Sequence, residues 1–275
     1  MELRPLVFDD RPDLHAQADG IFSAGWPEFA FHDAVADRYM ERVRSWFAGL
    51  NLLLVDGRDR IAAGGWGVPV RWDGTARDLP GGYDDALARA VELRERGGAP
   101  DPSGTLGRHG AQDRHGAQDA RRARDARRVP DTLVIAAAQV RDDLRGQGLA
   151  ARVLTELADA GARAGLSRVI APVRPTLKAR YPLTPMAEYA AWTRADGTPF
   201  DPWLRLHVGM GARVLGVAER SMVMTGTVAE WERWTGFALP ASGSYVVPGA
   251  LTPVVIDRAA DRGELVEPNV WVRHR

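Results

Sequence analysis

Alternating apolar and polar positions predict a definite order of elements in the first part of the chain. Apolar residues at helical spacing predict helices near 10–22, 32–47 and 83–97. A short apolar run at 51–55 and a glycine-containing run after a DGRD turn predict a strand hairpin between the second and third of these helices. With the short apolar run at the start of the chain as the first strand, the predicted order up to the hairpin is strand, helix, helix, strand, strand.

A second ordered region begins at residue 131. Residues 131–140 form an apolar run typical of a central strand, and 149–164 carry apolar residues along one helical face. A C-cap glycine is expected at Gly165, and residues 167–173 form a further strand. Strand, tight loop, helix and strand make a βαβ unit, so we expect two parallel neighbouring strands.

Composition excludes several classes of function. The 275 residues are 45% hydrophobic and carry 36 basic and 36 acidic side chains, so no global charge favours nucleic acid. Cysteine is absent, which excludes disulfides, thiol catalysis and thiolate metal sites. No apolar stretch is long enough to cross a membrane, and we expect a cytoplasmic protein.

Residues 99–130 differ in character from the rest. The hexapeptide RHGAQD occurs there twice in tandem, and large apolar residues are almost missing. Such a segment buries too little surface to offset the entropy of ordering it, so we predict a mobile insertion. Its histidines, His109 and His115, have no carboxylate or second pair to complete a metal site, and we predict no metal.

The loop between the apolar run and the next helix has the sequence RGQGLA, residues 145–150. Its two glycines let backbone N–H groups converge at a helix N-terminus, which is a typical anion site. A dinucleotide fingerprint could tolerate Ala151 at its third glycine position, but the acidic residue that it needs about twenty positions later is missing. A plain tight turn is the alternative.

The stretch Val140–Ala150 resembles the acyl-CoA signature of the GNAT N-acetyltransferase superfamily, [QR]-x-x-G-x-[GA]. Arg145, Gly148 and Ala150 fill its positions, and Val140 matches the valine that ends the preceding strand. The resemblance covers about residues 1–228. It implies an α+β fold with a mixed, mostly antiparallel central sheet and helices on both faces. Residues 229–275 exceed a minimal core of this kind, and because they are apolar we predict a C-terminal extension packed on the core.

The resemblance also implies a binding site for acetyl-CoA or another acyl-CoA. The pyrophosphate would lie on the backbone amides of Arg145, Gly146, Gln147, Gly148, Leu149 and Ala150. The pantetheine arm would pair with the backbone of Ala138, Gln139 and Val140, where the signature strand separates from its neighbour. The acyl thioester then meets an amine directly, which needs no nucleophilic side chain.

The candidate catalytic residues match the superfamily pattern less closely than the CoA loop does. In the superfamily a tyrosine four residues before a Gly-Phe pair protonates the departing thiolate, and here Gly211-Ala212 replaces that pair. His207 occupies the tyrosine position, so it is either the general acid or a helix histidine hydrogen-bonded to its surroundings. Glu188, Asp201 and Glu28 are candidate bases by neighbourhood alone, and a water relayed to a carbonyl is another solution.

Aromatic residues mark the expected acceptor side. In this fold the acceptor enters near the loop between the first two helices, where Trp26 and Phe29 stand, and Trp66 on the hairpin can face the same cleft. The same residues are also ordinary core aromatics. The extension includes a capping box, Thr227 with Glu230, and is apolar enough to close the acceptor side or form a dimer edge.

We therefore predict a GNAT-type N-acyltransferase that moves an acetyl or other acyl group from CoA to a small-molecule amine. Within that class, the acyl donor could instead be a carrier protein in a biosynthetic pathway. From another class, a non-catalytic acyl-CoA sensor stays open because of the departure at His207. A nicotinamide-dependent oxidoreductase is a distant third alternative. We expect no nucleic-acid or membrane partner, and a second copy of the chain stays open as a partner.

Overall fold

The computed structural model describes residues 2–97 and 129–274, and the strands in these ranges join in one nine-stranded sheet. In chain order they are β1 (Arg4–Val7), β2 (Asn51–Val55), β3 (Ile61–Val70), β4 (Thr132–Val140), β5 (Arg168–Val173), β6 (Arg213–Gly226), β7 (Gly243–Tyr245), β8 (Val254–Asp257) and β9 (Arg262–Arg273). The insertion predicted at 99–130 lies almost wholly outside the described residues.

The sheet is mixed and mostly antiparallel. Its strands follow the order β1-β2-β3-β4-β5-β9-β8-β7, and β6 pairs with β9 beside this path. The neighbours β4 and β5 run parallel, as the predicted βαβ unit requires, whereas the other pairs are antiparallel. The predicted fold class is therefore confirmed.

Helices cover both faces of the sheet. They are α1 (His15–Ser23), α2 (Ala34–Trp46), α3 (Tyr83–Gly97), α4 (Leu149–Arg163), α5 (Met186–Ala190), α6 (Pro202–Gly209) and α7 (Val228–Thr235). One face packs against α4, and the other against α2 and α3. Alternation along β2 directs Leu52 and Leu54 toward α4, and Leu53 and Val55 toward α1. Among the described helices, none has the length and apolarity that crossing a bilayer requires.

The C-terminal segment is not a separate extension. Strand β9 runs antiparallel to β5 through Val270–Arg273 and to β6 along most of its length, so the end of the chain fills the middle of the sheet. The predicted division into 1–228 and 229–275 therefore cuts through one sheet. The remainder of the segment packs around Trp231 of α7, which is fully buried, and reaches Phe29 in the loop between α1 and α2.

Candidate active site

The sheet opens between its two parallel strands. β4 and β5 pair only where Thr132–Val134 of β4 lies beside Arg168–Ile170 of β5. Beyond those residues the two strands separate. On its other side β4 stays paired with β3 as far as Val140. Within the described part of the chain, residues 135–140 therefore have no strand partner on the side that faces β5. Backbone N–H and C=O groups need partners, so this edge is suited to an extended polar chain such as pantetheine.

The loop after β4 has the open, left-handed geometry that its glycines allow. Gly146 and Gly148 have φ values of 79° and 76°, and Gly148 is the N-cap of α4. A Cβ at either glycine would meet nothing within 4 Å, so space is available where the amides converge. The amide of Arg145 is used within the loop, because it donates to the carbonyl of Asp142 at 3.3 Å.

Both features suit the pyrophosphate and pantetheine of an acyl-CoA. The first N–H groups of a helix have no partner inside it, and the positive end of the α4 dipole adds to their attraction for phosphate. The structure brings the predicted residues 138–140 and 145–150 together on one opening of the sheet. Their individual contacts with CoA stay predictions. No cluster of metal-ligand side chains occurs among the described residues.

A cavity of about 610 Å³ lies on the opposite side of the sheet from α4, under α1 and α2. Its wall reaches the opening between β4 and β5 through Ala136, Ala137 and Pro172. Of the residues predicted to bind the acceptor, Trp26 and Trp66 line this cavity and Phe29 does not, and their contacts with an acceptor stay predictions. Phe29 is 1% exposed because its short 3-10 turn directs the ring onto Trp231, 5.8 Å away between ring centroids.

Gln139 faces this cavity with its side chain. Its Nε2 donates to the carbonyls of Ile21 at 2.9 Å and Ala24 at 3.0 Å, and its Oε1 accepts from Nε1 of Trp26 at 3.3 Å. The side chain of this signature residue thus holds the end of α1 and the loop that follows it. Its backbone remains on the strand edge predicted for pantetheine.

Arg174, directly after β5, completes the wall across from Gln139. Its guanidinium lies 5.1 Å from the centroid of the Trp26 ring and makes a bidentate ion pair with Glu267, at 2.7 and 2.9 Å. The Glu267 side chain is 1% exposed, and its Oε1 also accepts from the amide of Leu251 at 3.0 Å. Sequence reasoning missed this pair; the signal was a carboxylate inside the apolar run of β9.

Two further carboxyl groups stand at the end of the cavity where α2 begins. Asp33 lines the cavity and caps α2, and Asp84 in the first turn of α3 accepts from the amide of Val223 at 3.1 Å. Burial, and then the hydrogen bond to Asp33, raises the pKa of Asp84 to about 9. Burial also raises the pKa of the neighbouring Tyr83 phenol, with Asp33 and Asp84 adding to the effect. At neutral pH both Tyr83 and Asp84 therefore keep their protons.

His207 is not among the residues that line the cavity. It lies in α6, is 1% exposed, and its Nδ1 is 2.8 Å from Nε2 of His274. Burial, and then the charge of His274, lowers the pKa of His207 to about 3. A neutral imidazole with so low a pKa is a poor proton donor at neutral pH, so this placement favours the structural alternative.

The candidate bases also lie outside the cavity lining. Asp201 is buried, caps α6 and accepts from the hydroxyl of Tyr189 at 2.9 Å. Glu28 pairs with His32 at 3.1 Å on the surface, and Glu188 is exposed in α5. Their surroundings assign them structural or surface roles.

Comparison with known proteins gives one curated relative and several related folds. No family model matches the chain. An arginine N-acetyltransferase, avaD of Aspergillus versicolor, is 28% identical across 96% of this chain and 91% of its own length. The loading GNATL domain of CurA from Lyngbya majuscula has a TM-score of 0.52 at 16% identity, covering 99% of this chain and 96% of that one. The GphF GNAT-like decarboxylase, in complex with isobutyryl-CoA, has a TM-score of 0.50 at 15% identity, covering 80% and 90%.

Proposed function

We propose that this chain is a member of the GNAT superfamily and that it moves an acetyl group from acetyl-CoA to an amine of a small molecule held in the Trp26 cavity. The predicted N-acyltransferase activity agrees with the name of the curated relative, which matches nearly the whole chain. An acyl-CoA as co-substrate agrees with the complex of the related fold with isobutyryl-CoA.

One observation carries the proposal: the cavity and the opening between β4 and β5 meet at Ala136 and Pro172. A thioester entering along the edge of β4 and an amine held in the cavity then approach the same point from opposite faces. Holding two reactants in contact lowers the entropic part of the barrier. The amine nitrogen attacks the thioester carbonyl carbon to form the C–N bond and loses a proton. The C–S bond breaks, and CoA leaves as a thiolate that takes up a proton, so that the products are an amide and free thiol.

Arginine is the acceptor to test first. The curated relative is named for its action on arginine, and the cavity here combines aromatic side chains with the carboxylates of Asp19, Asp33 and Asp37. Carboxylates pair well with a guanidinium, and indole and phenol rings provide flat faces for it. A volume of about 610 Å³ is within the range of small-molecule sites.

The test is release of free CoA thiol from acetyl-CoA in the presence of arginine, agmatine or lysine. We expect amine-dependent release by the wild type and a loss of at least about tenfold in Gly148→Asp, which places a negative charge at the phosphate-binding loop. Acetyl-CoA binding without turnover for any amine would overturn the proposal in favour of a sensor. Turnover only with an acetylated carrier protein would overturn the choice of donor.

A further inference from the structure

Asp33 lines the cavity and forms a buried carboxyl pair with Asp84, which is not among the lining residues. Asp33 is 1% exposed and Asp84 is 9% exposed. In Asp33, Oδ1 accepts from the amides of Val35 at 2.8 Å and Ala36 at 3.1 Å, whereas the buried Oδ2 has no hydrogen-bond donor. Asp84 is arranged in the same way, with Oδ2 on the Val223 amide and a buried Oδ1 that has no donor. Each carboxyl therefore has one oxygen held by backbone amides and one buried oxygen that no amide or basic side chain reaches.

The pair has no cationic partner. The Asp84 carboxyl keeps its proton at neutral pH, and no basic side chain reaches the buried second oxygen of either group among the described residues. Neither carboxyl takes part in an ion pair within the described residues. A buried carboxyl oxygen without a donor is costly, so this end of the cavity favours a group with several N–H donors, such as a guanidinium or an ammonium.

The positive side chains that line the cavity do not supply that cation. Arg174 is already neutralised by its bidentate pair with Glu267. Arg44, about three turns beyond Asp33 on α2, is exposed and forms no ion pair within the described chain, although its charge acts on the Tyr83 phenol. One turn from Asp33, the carboxylate of Asp37 also lines the cavity, is exposed, and has no side-chain partner among the described residues.

Aromatic rings complete this end of the cavity. Trp66 and Tyr83 both line it, with their rings edge to face and their centroids 6.0 Å apart. Aromatic faces attract cations, and the effect grows when water is excluded. The end of the cavity defined by Asp33, Asp37, Trp66 and Tyr83 thus combines negative charge with flat apolar walls, and we call it the anionic end.

We propose that the anionic end binds a guanidinium or alkylammonium group of the acceptor, with Asp33 and Asp37 as direct contacts and Asp84 as the positioning partner of Asp33. This inference rests on the proposed function, because it assigns one part of the acceptor to one part of the acceptor cavity. It commits the acceptor class to molecules that carry a fixed cationic group in addition to the amine that is acylated.

Arginine and citrulline test the proposal, because they have nearly the same shape and differ in the charge of the side-chain end group. We would measure the dissociation constants of both by calorimetry with the CoA-loaded protein. For the wild type we expect arginine to bind at least about tenfold more tightly than citrulline. In Asp33→Asn, which keeps a capping oxygen for α2, we expect this preference to fall to about twofold or less.

Matched variants separate recognition from folding. Asp196→Asn makes the same chemical change in an exposed turn that does not line the cavity, and it should leave the preference for arginine unchanged. Asp33→Ser also keeps a capping oxygen, and it replaces Asp33→Asn in the same measurement if Asp33→Asn does not fold. A CoA-loaded wild type that binds arginine and citrulline equally, or a folded Asp33 variant that keeps the preference, would overturn the inference. Failure of the proposed function is distinct, because then no amine releases thiol from acetyl-CoA.

Discussion

The indole Nε1 of Trp26 donates a hydrogen bond to the side-chain oxygen of Gln139 at 3.3 Å, which ties the acceptor loop to the strand that carries the CoA signature. The same glutamine donates to two carbonyls at the end of α1. One residue of β4 therefore contributes backbone to the proposed pantetheine edge and a side chain to the acceptor cavity. The two substrate sites share this residue, and a change there should affect both.

Replacing Gln139 with alanine should loosen the acceptor loop. Three hydrogen bonds are lost and two carbonyls lose a donor, so we expect the free energy of unfolding to fall by about 1–3 kcal/mol. The KM for the amine should rise by about tenfold, with a smaller change in the KM for acetyl-CoA. Steady-state kinetics with each substrate varied in turn will measure both effects.

Thr155→Ala is the control for Gln139→Ala, because Thr155 lies on α4 and its hydroxyl donates only to a carbonyl of the same helix. It should change neither Michaelis constant. Equal increases in both constants for Gln139→Ala would contradict the assignment of its side chain to the acceptor side.

The CoA loop could be predicted from sequence because all of its determinants are local. Two glycines, a preceding apolar strand and a following amphipathic helix lie within about twenty residues, and each acts through backbone geometry that a short sequence dictates. The acceptor side is different. Phe29 and Trp26 are three residues apart and equally apolar, yet one ring packs on Trp231 and the other faces the cavity. The difference depends on α7, which is distant in sequence and provides Trp231 as the packing partner of Phe29.

Gly148 and Gly165 provide a matched pair for the phosphate-binding prediction. Both have left-handed backbones, with φ of 76° and 81°, and a Cβ at either meets nothing within 4 Å. Aspartate tolerates this conformation at a cost of about 1 kcal/mol. Gly148→Asp should weaken acetyl-CoA binding at least about tenfold by charge repulsion, whereas Gly165→Asp should not change it. Calorimetric titration with acetyl-CoA will measure both dissociation constants.

Protein stability gives an independent check on the same pair. An aspartate near the helix N-terminus interacts favourably with the dipole, and one after the C-terminus does so unfavourably, so Gly165→Asp should be the less stable variant. Equal loss of acetyl-CoA affinity in both variants would show that the loop is only a turn.

His207→Phe tests whether the imidazole is structural or catalytic. The environment of His207 favours a neutral aromatic ring, and its edge contact with Trp203 can be kept by phenylalanine. We expect kcat to stay within about threefold of the wild type, since the side chain does not line the cavity. A loss of about a hundredfold in kcat at unchanged stability would instead restore the predicted role as general acid.

The stability of His207→Phe should also respond differently to acid. The pKa of His207 falls from 6.5 to about 3 on folding, so the unfolded chain binds more protons in that interval. Wild-type stability is therefore lost as the pH falls from 6.5 toward 3. The variant lacks this contribution, and the difference in unfolding free energy between the two proteins should shift in its favour at low pH. Urea unfolding at pH 7 and pH 5 will show the change.

Asp84→Asn should change stability at the other end of the pH range. Its pKa rises from 3.8 to about 9 on folding, so the native state binds the extra proton between those values. Wild-type stability should then decline as the pH rises through this window. Relative to the wild type, the free energy of unfolding of the variant should increase between pH 6 and pH 9. Urea unfolding at these two pH values will measure the difference, and parallel profiles would contradict a shared proton between Asp33 and Asp84.

Long-range pairing explains why local sequence patterns predict an extension at the end of the chain rather than a central strand. β9 is separated from β5 by nearly ninety residues, and its insertion beside β5 depends on contacts that no local pattern encodes. Its polar residues were the available signal: Glu267 and Asn269 interrupt an apolar strand and are 1% exposed. A buried carboxylate requires a partner, but the sequence alone could not identify Arg174 as that partner.

The pair of Arg174 and Glu267 should be strongly coupled. Glu267→Gln leaves a guanidinium without its carboxylate, and Arg174→Met leaves a carboxylate that is 1% exposed without its cation. Each single variant should lose about 3 kcal/mol of unfolding free energy. The double variant Arg174→Met/Glu267→Gln leaves no buried charge, so it should lose less than the sum by about 1 kcal/mol or more.

Glu92→Gln is the control, because its pair with Arg96 is exposed and should change stability by less than about 1 kcal/mol. Additive losses in the double variant would show that the two side chains act independently.

The same variants also test the charge of the acceptor cavity. In Glu267→Gln the guanidinium beside Trp26 is no longer neutralised, so a cationic acceptor should bind more weakly while citrulline is unaffected. Calorimetry on the CoA-loaded variant will therefore distinguish a purely structural ion pair from one that also sets the charge of the acceptor site.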